Sequence, residues 1–362
     1  MTSWTPEQDR ALKAVAQWLE GGKAQVFRLF GYAGTGKSTL ARHVAEHVDG
    51  DVVFAAFTGK AALVMRHKGC KDARTIHSLI YRATDSDTEE PSFVLNDESD
   101  ATRAKLIVID ECSMVDEELG RDLLSFGKKV LVLGDPAQLP PVKGGGYFTE
   151  AAPDVMLTEV HRQAADNPIV RLSMTIRAGG RLERGVYGSS SVVSRDALDP
   201  ALVTGADQVL VGMNKTRRAY NGRLRQLRGF TGDLPVSGEK LVCLRNNRKK
   251  GLLNGALFTV KSAGALRRGK VRMLVTPEEG GGHFQRVAVI PQMFSSEGEI
   301  PYAMRKDSDE FDFGYALTVH KAQGSQWDSV VLFDESFAFR EHRAQWLYTG
   351  VTRAAQTLTV VV

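Results

Sequence analysis

Gly31-Tyr32-Ala33-Gly34-Thr35-Gly36-Lys37-Ser38 fills every fixed position of the pattern G-x-x-x-x-G-K-[ST], and no other feature restricts the fold of this chain as much. The pattern works where a strand passes through a tight glycine turn into a helix. Here it follows the apolar run 26–30 and precedes a helical run at 39–48. In that setting successive backbone N–H groups wrap phosphate oxygens, and the helix start adds partial positive charge. Lys37 is then placed to reach the β- and γ-phosphates of a nucleotide, and Ser38 to ligate Mg²⁺. An α/β fold follows, because such a loop sits at the C-terminal edge of a parallel sheet.

The loop alone leaves kinases, GTPases and many ATPases open. The run Leu106-Ile107-Val108-Ile109 ends in Asp110-Glu111, which puts Asp110 beside the metal and leaves Glu111 to polarise an attacking water. A GTPase would carry Asn-Lys-x-Asp, and Asn214-Lys215-Thr216-Arg217 lacks the aspartate. His43-Val44-Ala45-Glu46-His47 matches an inverted zinc-protease pattern. It lies on the phosphate-loop helix, where residues i and i+4 pair as a matter of course, and no third ligand is evident. Thr5-Pro6-Glu7-Gln8 reads as a capping box with Pro at the first helical position, so Gln8 has a local structural role open to it.

The runs 25–30, 51–57, 105–109 and 129–133 alternate with helical patterns, the mark of a parallel sheet covered on both faces. The stretch 84–103 interrupts them. It holds seven acids and no Lys or Arg between Asp85 and Asp100, with Pro91 and a Phe93-Val94-Leu95 patch, and reads as a short protruding hairpin or loop. A second α/β unit begins near Asp207. Inside it, short strands at 240–244, 256–260, 271–275 and 286–290 between glycine-rich turns predict an inserted β-barrel. Parallel-strand character returns at 315–319, 329–333 and 357–362. The expected domains are therefore 1–165 with its insertion at 84–103, a second built from 166–237 and 313–362, and an inserted module at 238–312.

Between Lys215 and Arg272 there are 16 Lys and Arg against two acids, Asp233 and Glu239. On charge alone a polyanion partner and a solvated basic face both stay open. Cys70, Cys112 and Cys243 are far apart and without metal-ligand spacing, which fits a reducing cytosol. No apolar run approaches ~18 residues, so no membrane partner is expected. The polar start of the chain does not read as a signal peptide.

Taken in order, GYAGTGKST (31–39), AFTGKAA (56–62), TIHSLI (75–80), VIDECSM (108–114), LGDPAQLPPV (133–142), LTEVHRQ (157–163), YALTVHKAQGS (315–325) and LYTGVTRA (347–354) resemble the motif series of superfamily 1B DNA helicases, the 5′-to-3′ branch of RecD/Dda type. The resemblance covers most of the chain, from Gln8 to Arg353. It implies two RecA-like parallel-sheet motor domains, an SH3-like barrel at 238–312 and a strand-separating pin at 84–103, here short and strongly acidic. It also implies an ATP- and Mg²⁺-dependent motor that moves 5′-to-3′ on single-stranded DNA and unwinds duplex.

By the same resemblance Gln8 reads adenine, and Ala33, Gly34, Thr35, Gly36, Lys37, Ser38, Thr39 and Gly324 surround the nucleotide. Gln138 contacts the γ-phosphate, and Arg162 and Arg353 bring positive charge to where negative charge spreads in the transition state. Thr58, Lys60, Thr75 and His77 in the first domain, and His320, Lys321 and Ser325 in the second, hold the sugar–phosphate backbone. Arg248, Lys249 and Lys250 of the basic module join them. The partners implied are single-stranded DNA and duplex junctions, with replication or recombination proteins unnamed. A single copy is expected to suffice, in the cytoplasm of a bacterium or a phage-infected cell. An RNA helicase would share every motif, and polarity comes from the resemblance alone. A small-molecule kinase has no use for GDPAQLPP or HKAQG, and a nucleotide-gated binding module would need a defective Glu111 or arginine pair.

Overall fold

The structure is a computed structural model that describes residues 4–83, 93–140, 146–159, 166–247, 250–278, 284–295 and 300–362. The chain divides into two units, Met1–Arg181 with Ala344–Thr352, and Leu182–Arg343 with Arg353–Val362.

Along the first unit run β1 (Val26–Gly31), β2 (Val52–Ala56), β3 (Arg74–Thr75), β4 (Tyr81–Ala83), β5 (Phe93–Leu95), β6 (Leu106–Asp110), β7 (Lys129–Gly134) and β8 (Val155–Leu157). Six of them form a wholly parallel sheet in the order β3-β2-β6-β7-β1-β8. Side chains alternate across it. Leu106, Val108, Leu131 and Leu133 join one core with Leu40 and Val44, while Ile107, Ile109, Val130 and Val132 join another with Ile76, Leu79 and Phe148. A sheet buried on both faces needs apolar residues at every position, which is why these strands read as continuous hydrophobic runs. The edge strands β3 and β8 have only two and three residues, too few to carry a period in the sequence.

The helix Pro6–Gly21 starts as its capping box dictates, with Gln8 N donating to Thr5 Oγ1 and Thr5 N donating to Gln8 Oε1. It buries Ala11, Val15 and Trp18 at helical spacing against the sheet. β4, just before the acidic stretch, pairs antiparallel with β5 inside it, Tyr81 opposite Leu95, and a short helix, Asp100–Arg103, closes the stretch. Residues 84–92, Pro91 among them, lie outside the described residues. Asp100 is paired with Arg74 at 2.7 Å and Arg103 at 2.8 Å.

In the second unit β9 (Gly185–Tyr187), β10 (Ser190–Val193) and β11 (Gln208–Val211) precede the strands β12 (Lys240–Cys243), β13 (Leu257–Ala263), β14 (Val271–Pro277), β15 (Gln285–Val289) and β16 (Phe311–Phe313). Then come β17 (Ala316–Thr318), β18 (Trp327–Phe333) and β19 (Ala354–Val361). The sheet β17-β11-β18-β19-β10 is parallel, with β9 antiparallel at its edge. The intervening strands form an antiparallel sheet, β15-β14-β13-β12-β16. The segment leading into β16 meets β15 where Asp309 N donates to Ala288 O at 2.8 Å. One core serves both sheets: Val209, Val211 and Leu224 pack with Leu241, Phe258, Val275 and Phe313.

Arg217–Asp312 (2.8 Å) and the buried Arg225–Glu239 pair (2.5 Å) tie the basic helix Asn214–Leu227 to the antiparallel strands. All three cysteines are buried and free. No helix among the described residues is long and apolar enough to cross a membrane.

Candidate functional site

The phosphate loop leaves β1 and enters the helix Lys37–Glu46, two residues earlier than the helical pattern suggested. Gly34 (φ 80°) and Gly36 (φ 86°) take left-handed conformations that a side chain resists, and these turn the backbone amides inward. Lys37 Nζ donates to the carbonyls of Gly31 (2.6 Å) and Tyr32 (3.0 Å). Ser38 Oγ donates to Asp110 Oδ2 at 3.0 Å, so the two expected metal ligands already meet. Asp110 Oδ1 accepts from the Glu111 amide at 2.8 Å, and Glu111 sits at φ 54°, a strained place for a glutamate.

Gln8 is buried, its Nε2 donating to Thr35 O at 3.0 Å. A Cβ on Gly36 would stand 2.8 Å from that nitrogen, so the helix start and the phosphate loop are fitted to each other. Beyond β7, Gln138 is buried, and its Oε1 has no hydrogen-bond partner among the described residues. A buried amide oxygen in that state is costly unless another group visits it. Arg177 lies over the Tyr32 ring at 3.5 Å, beside a cavity of about 290 Å³ lined by Tyr32, Ala137, Arg177 and Tyr348.

In the second unit the residues after β17 cluster by themselves. Buried Arg353 donates from Nη1 to the Ser325 carbonyl at 3.1 Å, and Gly324 has φ 73°. Burial pushes the His320 imidazole below its ordinary 6.5, with the His342 charge adding to the effect. Burial, then the Arg217 charge, pushes the Lys321 ammonium down from its ordinary value. A separate cavity of about 750 Å³ in this unit is lined by Asp207, Arg228, Lys240, Tyr315 and Trp327, none of them a residue singled out in the sequence.

A family model described as AAA domain matches residues 3–194, more than half of the chain. The chain belongs to the AAA-domain family. A second model, the UvrD-like helicase C-terminal domain, matches residues 313–361. The ATP-dependent RecD2 DNA helicase of Deinococcus radiodurans is 28% identical over 360 residues, which is 90% of this chain and 45% of that protein. The ATP-dependent DNA helicase dda of Enterobacteria phage T4 is 28% identical over 190 residues, 48% of this chain and 43% of that one. This AAA-domain chain thus spans less than half the length of these curated relatives. A crystal structure of Bacteroides Pif1 bound to single-stranded DNA shares the fold, with TM-score 0.60 at 17% identity, covering 99% of this chain and 92% of that one. Together with the ordered motifs, these likenesses make it a superfamily 1B member of RecD/Dda type with an α/β, RecA-like architecture.

The remaining sequence-assigned residues of this AAA-domain chain are placed unevenly. Thr58 and Thr75 cap helices, accepting from Ala61 N and Ser78 N, each at 3.1 Å. Lys60 is 3% exposed. His77 is exposed, with Tyr81 at 4.7 Å and Phe93 at 4.6 Å between ring centres. Lys250 pairs with Asp309 at 2.5 Å, an internal partner where the sequence suggested a phosphate. Arg162, Arg248 and Lys249 lie outside the described residues.

Several residues gained no role from the sequence and yet hold the site together. Glu7 accepts from Thr158 N (2.9 Å), Thr158 Oγ1 (2.9 Å) and Glu159 N (2.8 Å). Tyr348 joins Ala33 to Asp135, and Thr349 accepts from Leu139 N. Both lie inside LYTGVTRA, so membership of a motif was the one available signal.

Proposed function

We propose that the chain is an ATP-driven motor that moves 5′-to-3′ along single-stranded DNA and parts duplex ahead of it. The strongest support is the 3.0 Å Ser38–Asp110 hydrogen bond at the mouth of a phosphate loop, in a chain whose relatives RecD2 and dda carry the name DNA helicase. A hydroxyl and a carboxylate meeting there suit Mg²⁺, which would neutralise charge on the phosphate oxygens. Lys37 gives up the Gly31 and Tyr32 carbonyls and turns to the β- and γ-phosphates. Amides of the Gly34–Ser38 turn, with Ala33 and Thr39 beside them, surround those phosphates.

Glu111 takes the proton of the attacking water, and Gln138 senses the γ-phosphate. Arg162 and Arg353 supply the positive charge that the family resemblance assigns them, with Gly324 next to them in role. Gln8 trades its bonds to Thr5 and Thr35 for the adenine edge. Thr58, Lys60, Thr75, His77, His320, Lys321 and Ser325 grip the strand backbone. Arg248, Lys249 and Lys250 add to that grip from the antiparallel module at 238–312, which serves as the SH3-like domain. The β4–β5 hairpin serves as the pin. The motor works as a single copy in the cytoplasm.

The deciding experiment is ATP-driven strand displacement from duplexes carrying a 5′ or a 3′ single-stranded tail. Displacement from the 5′-tailed duplex alone is expected, with ATP turnover stimulated many-fold by single-stranded DNA and abolished in Lys37→Ala. Turnover that ignores nucleic acid would sink the motor reading, and displacement from the 3′ tail would reverse its polarity.

A further inference from the structure

We infer that Tyr348 and Thr349 are positioning residues that pin the Gln138 loop at both ends and join it to the phosphate loop. The inference rests on the ATPase reading above. Tyr348 is 1% exposed, and its hydroxyl has two partners: it accepts from Ala33 N at 3.1 Å and donates to Asp135 Oδ2 at 2.7 Å. Asp135, itself buried, shapes the turn that carries Gln138. Its Oδ1 accepts from Ala137 N at 3.0 Å, and its carbonyl accepts from Gln138 N at 3.1 Å. One residue past Gln138, Leu139 N donates to Thr349 Oγ1 at 2.9 Å, and that hydroxyl donates in turn to Gln345 O at 2.7 Å. All these residues belong to the first unit.

The direction of each bond is forced. A carboxylate can only accept, so the phenol must give its proton to Asp135 and offer a lone pair to the Ala33 amide. Burial and the Asp135 charge push the phenol up, which keeps that proton in place. Thr349 likewise must accept from the Leu139 amide and spend its own proton on Gln345. Gln138 therefore lies between two positions, Asp135 and Leu139, each bonded to a hydroxyl of one helix, and the first of these hydroxyls touches the phosphate loop directly. A displacement at Ala33 reaches Gln138 through a single oxygen and a rigid aspartate turn. The sequence pattern names Gln138 for the γ-phosphate; the contacts show what sets its position.

The test uses the full chain with three substitutions. Tyr348→Phe keeps the ring and removes the hydroxyl, Thr349→Val removes the acceptor, and Thr349→Ser keeps it. Hydrogen exchange is expected to quicken roughly tenfold at Ala33 in Tyr348→Phe and at Leu139 in Thr349→Val, with Thr349→Ser close to wild type. In DNA-stimulated ATP turnover, kcat should fall about tenfold in the first two variants, with KM for ATP within about twofold, because a misplaced group loses transition-state contact rather than ground-state binding. Thr349→Ser should restore kcat. Unchanged exchange at Ala33 and Leu139 would overturn the inference, as would a lowered melting temperature with kcat intact. Should the wild-type chain fail to hydrolyse ATP, the ATPase reading falls, and the exchange data alone decide whether the two hydroxyls hold the loop.

Discussion

The two parallel sheets treat the helix that leaves their C-terminal edge in opposite ways. In the first, the helix Lys37–Glu46 starts at left-handed Gly36 with no side-chain cap, so its leading amides stay open to an anion. In the second, the place before the helix Asn214–Leu227 is already filled. Buried Glu335 accepts from Gly212 N (2.6 Å), Met213 N (3.0 Å) and Thr216 Oγ1 (2.6 Å), and a Cβ on Gly212 would strike its side chain at 2.8 Å. A helix start behind a parallel strand is an anion site by geometry. Whether a phosphate or an internal carboxylate occupies it depends on what a neighbouring strand delivers. The open helix start belongs to the first sheet, while after β17 the second holds the half-buried His320 and Lys321, whose charged forms are costly to keep.

The comparison breaks most sharply at Glu111. Glu111→Gln should lower kcat for ATP by at least about a hundredfold, the usual worth of a general base. Nucleotide and DNA affinity should stay within about twofold. A parallel collapse of ATP affinity would make Glu111 a structural residue, and the first sheet edge no more chemical than the second.

Glu335→Ala tests the other half. Three donors, two of them backbone amides, would lose a charged acceptor inside the protein, a loss of about 3 kcal/mol. Urea denaturation should show a clearly lower midpoint, with part of the stability recovered in millimolar sulfate if the vacated helix start takes an anion. A midpoint equal to wild type would mean that Glu335 does not secure this edge.

A smaller effect is expected in the basic module. Replacing Arg248, Lys249 and Lys250 together with Gln should flatten the slope of log K for single-stranded DNA against log[salt] by up to ~2 units, at ~0.7 per phosphate contact. Lys250→Gln alone should change the slope least, since its ammonium is engaged by Asp309. A slope unchanged in the triple variant would make the loop a solvated face.

The smallest shift concerns pH. The folded state depresses the His320 pKa below 6.5, so the neutral ring contributes stability that is complete above that value and is lost as pH falls through the folded pKa. The denaturation midpoint of wild type should fall relative to that of His320→Gln as pH drops from about 7 to about 5. Parallel curves would show that His320 titrates alike in both states.

What could be read from the residues alone was local. The phosphate loop, the Asp110–Glu111 pair and the buried strands all depend on neighbours within a few positions, or on short unbroken apolar runs between turn signals. The order of eight motifs then carried the family. Thr58 and Thr75 show where this stops. The same hydroxyls that look suited to phosphate are also helix caps, and the choice depends on where a strand ends. Lys60 and Lys250 were legible as cations but not as a buried side chain and an ion-paired one.

By itself, then, the sequence determined a phosphate-binding α/β chain of superfamily 1B type, because backbone conformation and strand burial are written in adjacent residues. Only the tertiary structure decided that Glu335 fills one helix start while the other stays open. It also decided that Tyr348 meets Asp135, 213 positions away, through a 2.7 Å hydrogen bond. Such pairings arise from strand order and packing, where a shift of one residue turns every side chain to the opposite face. No local pattern can encode them.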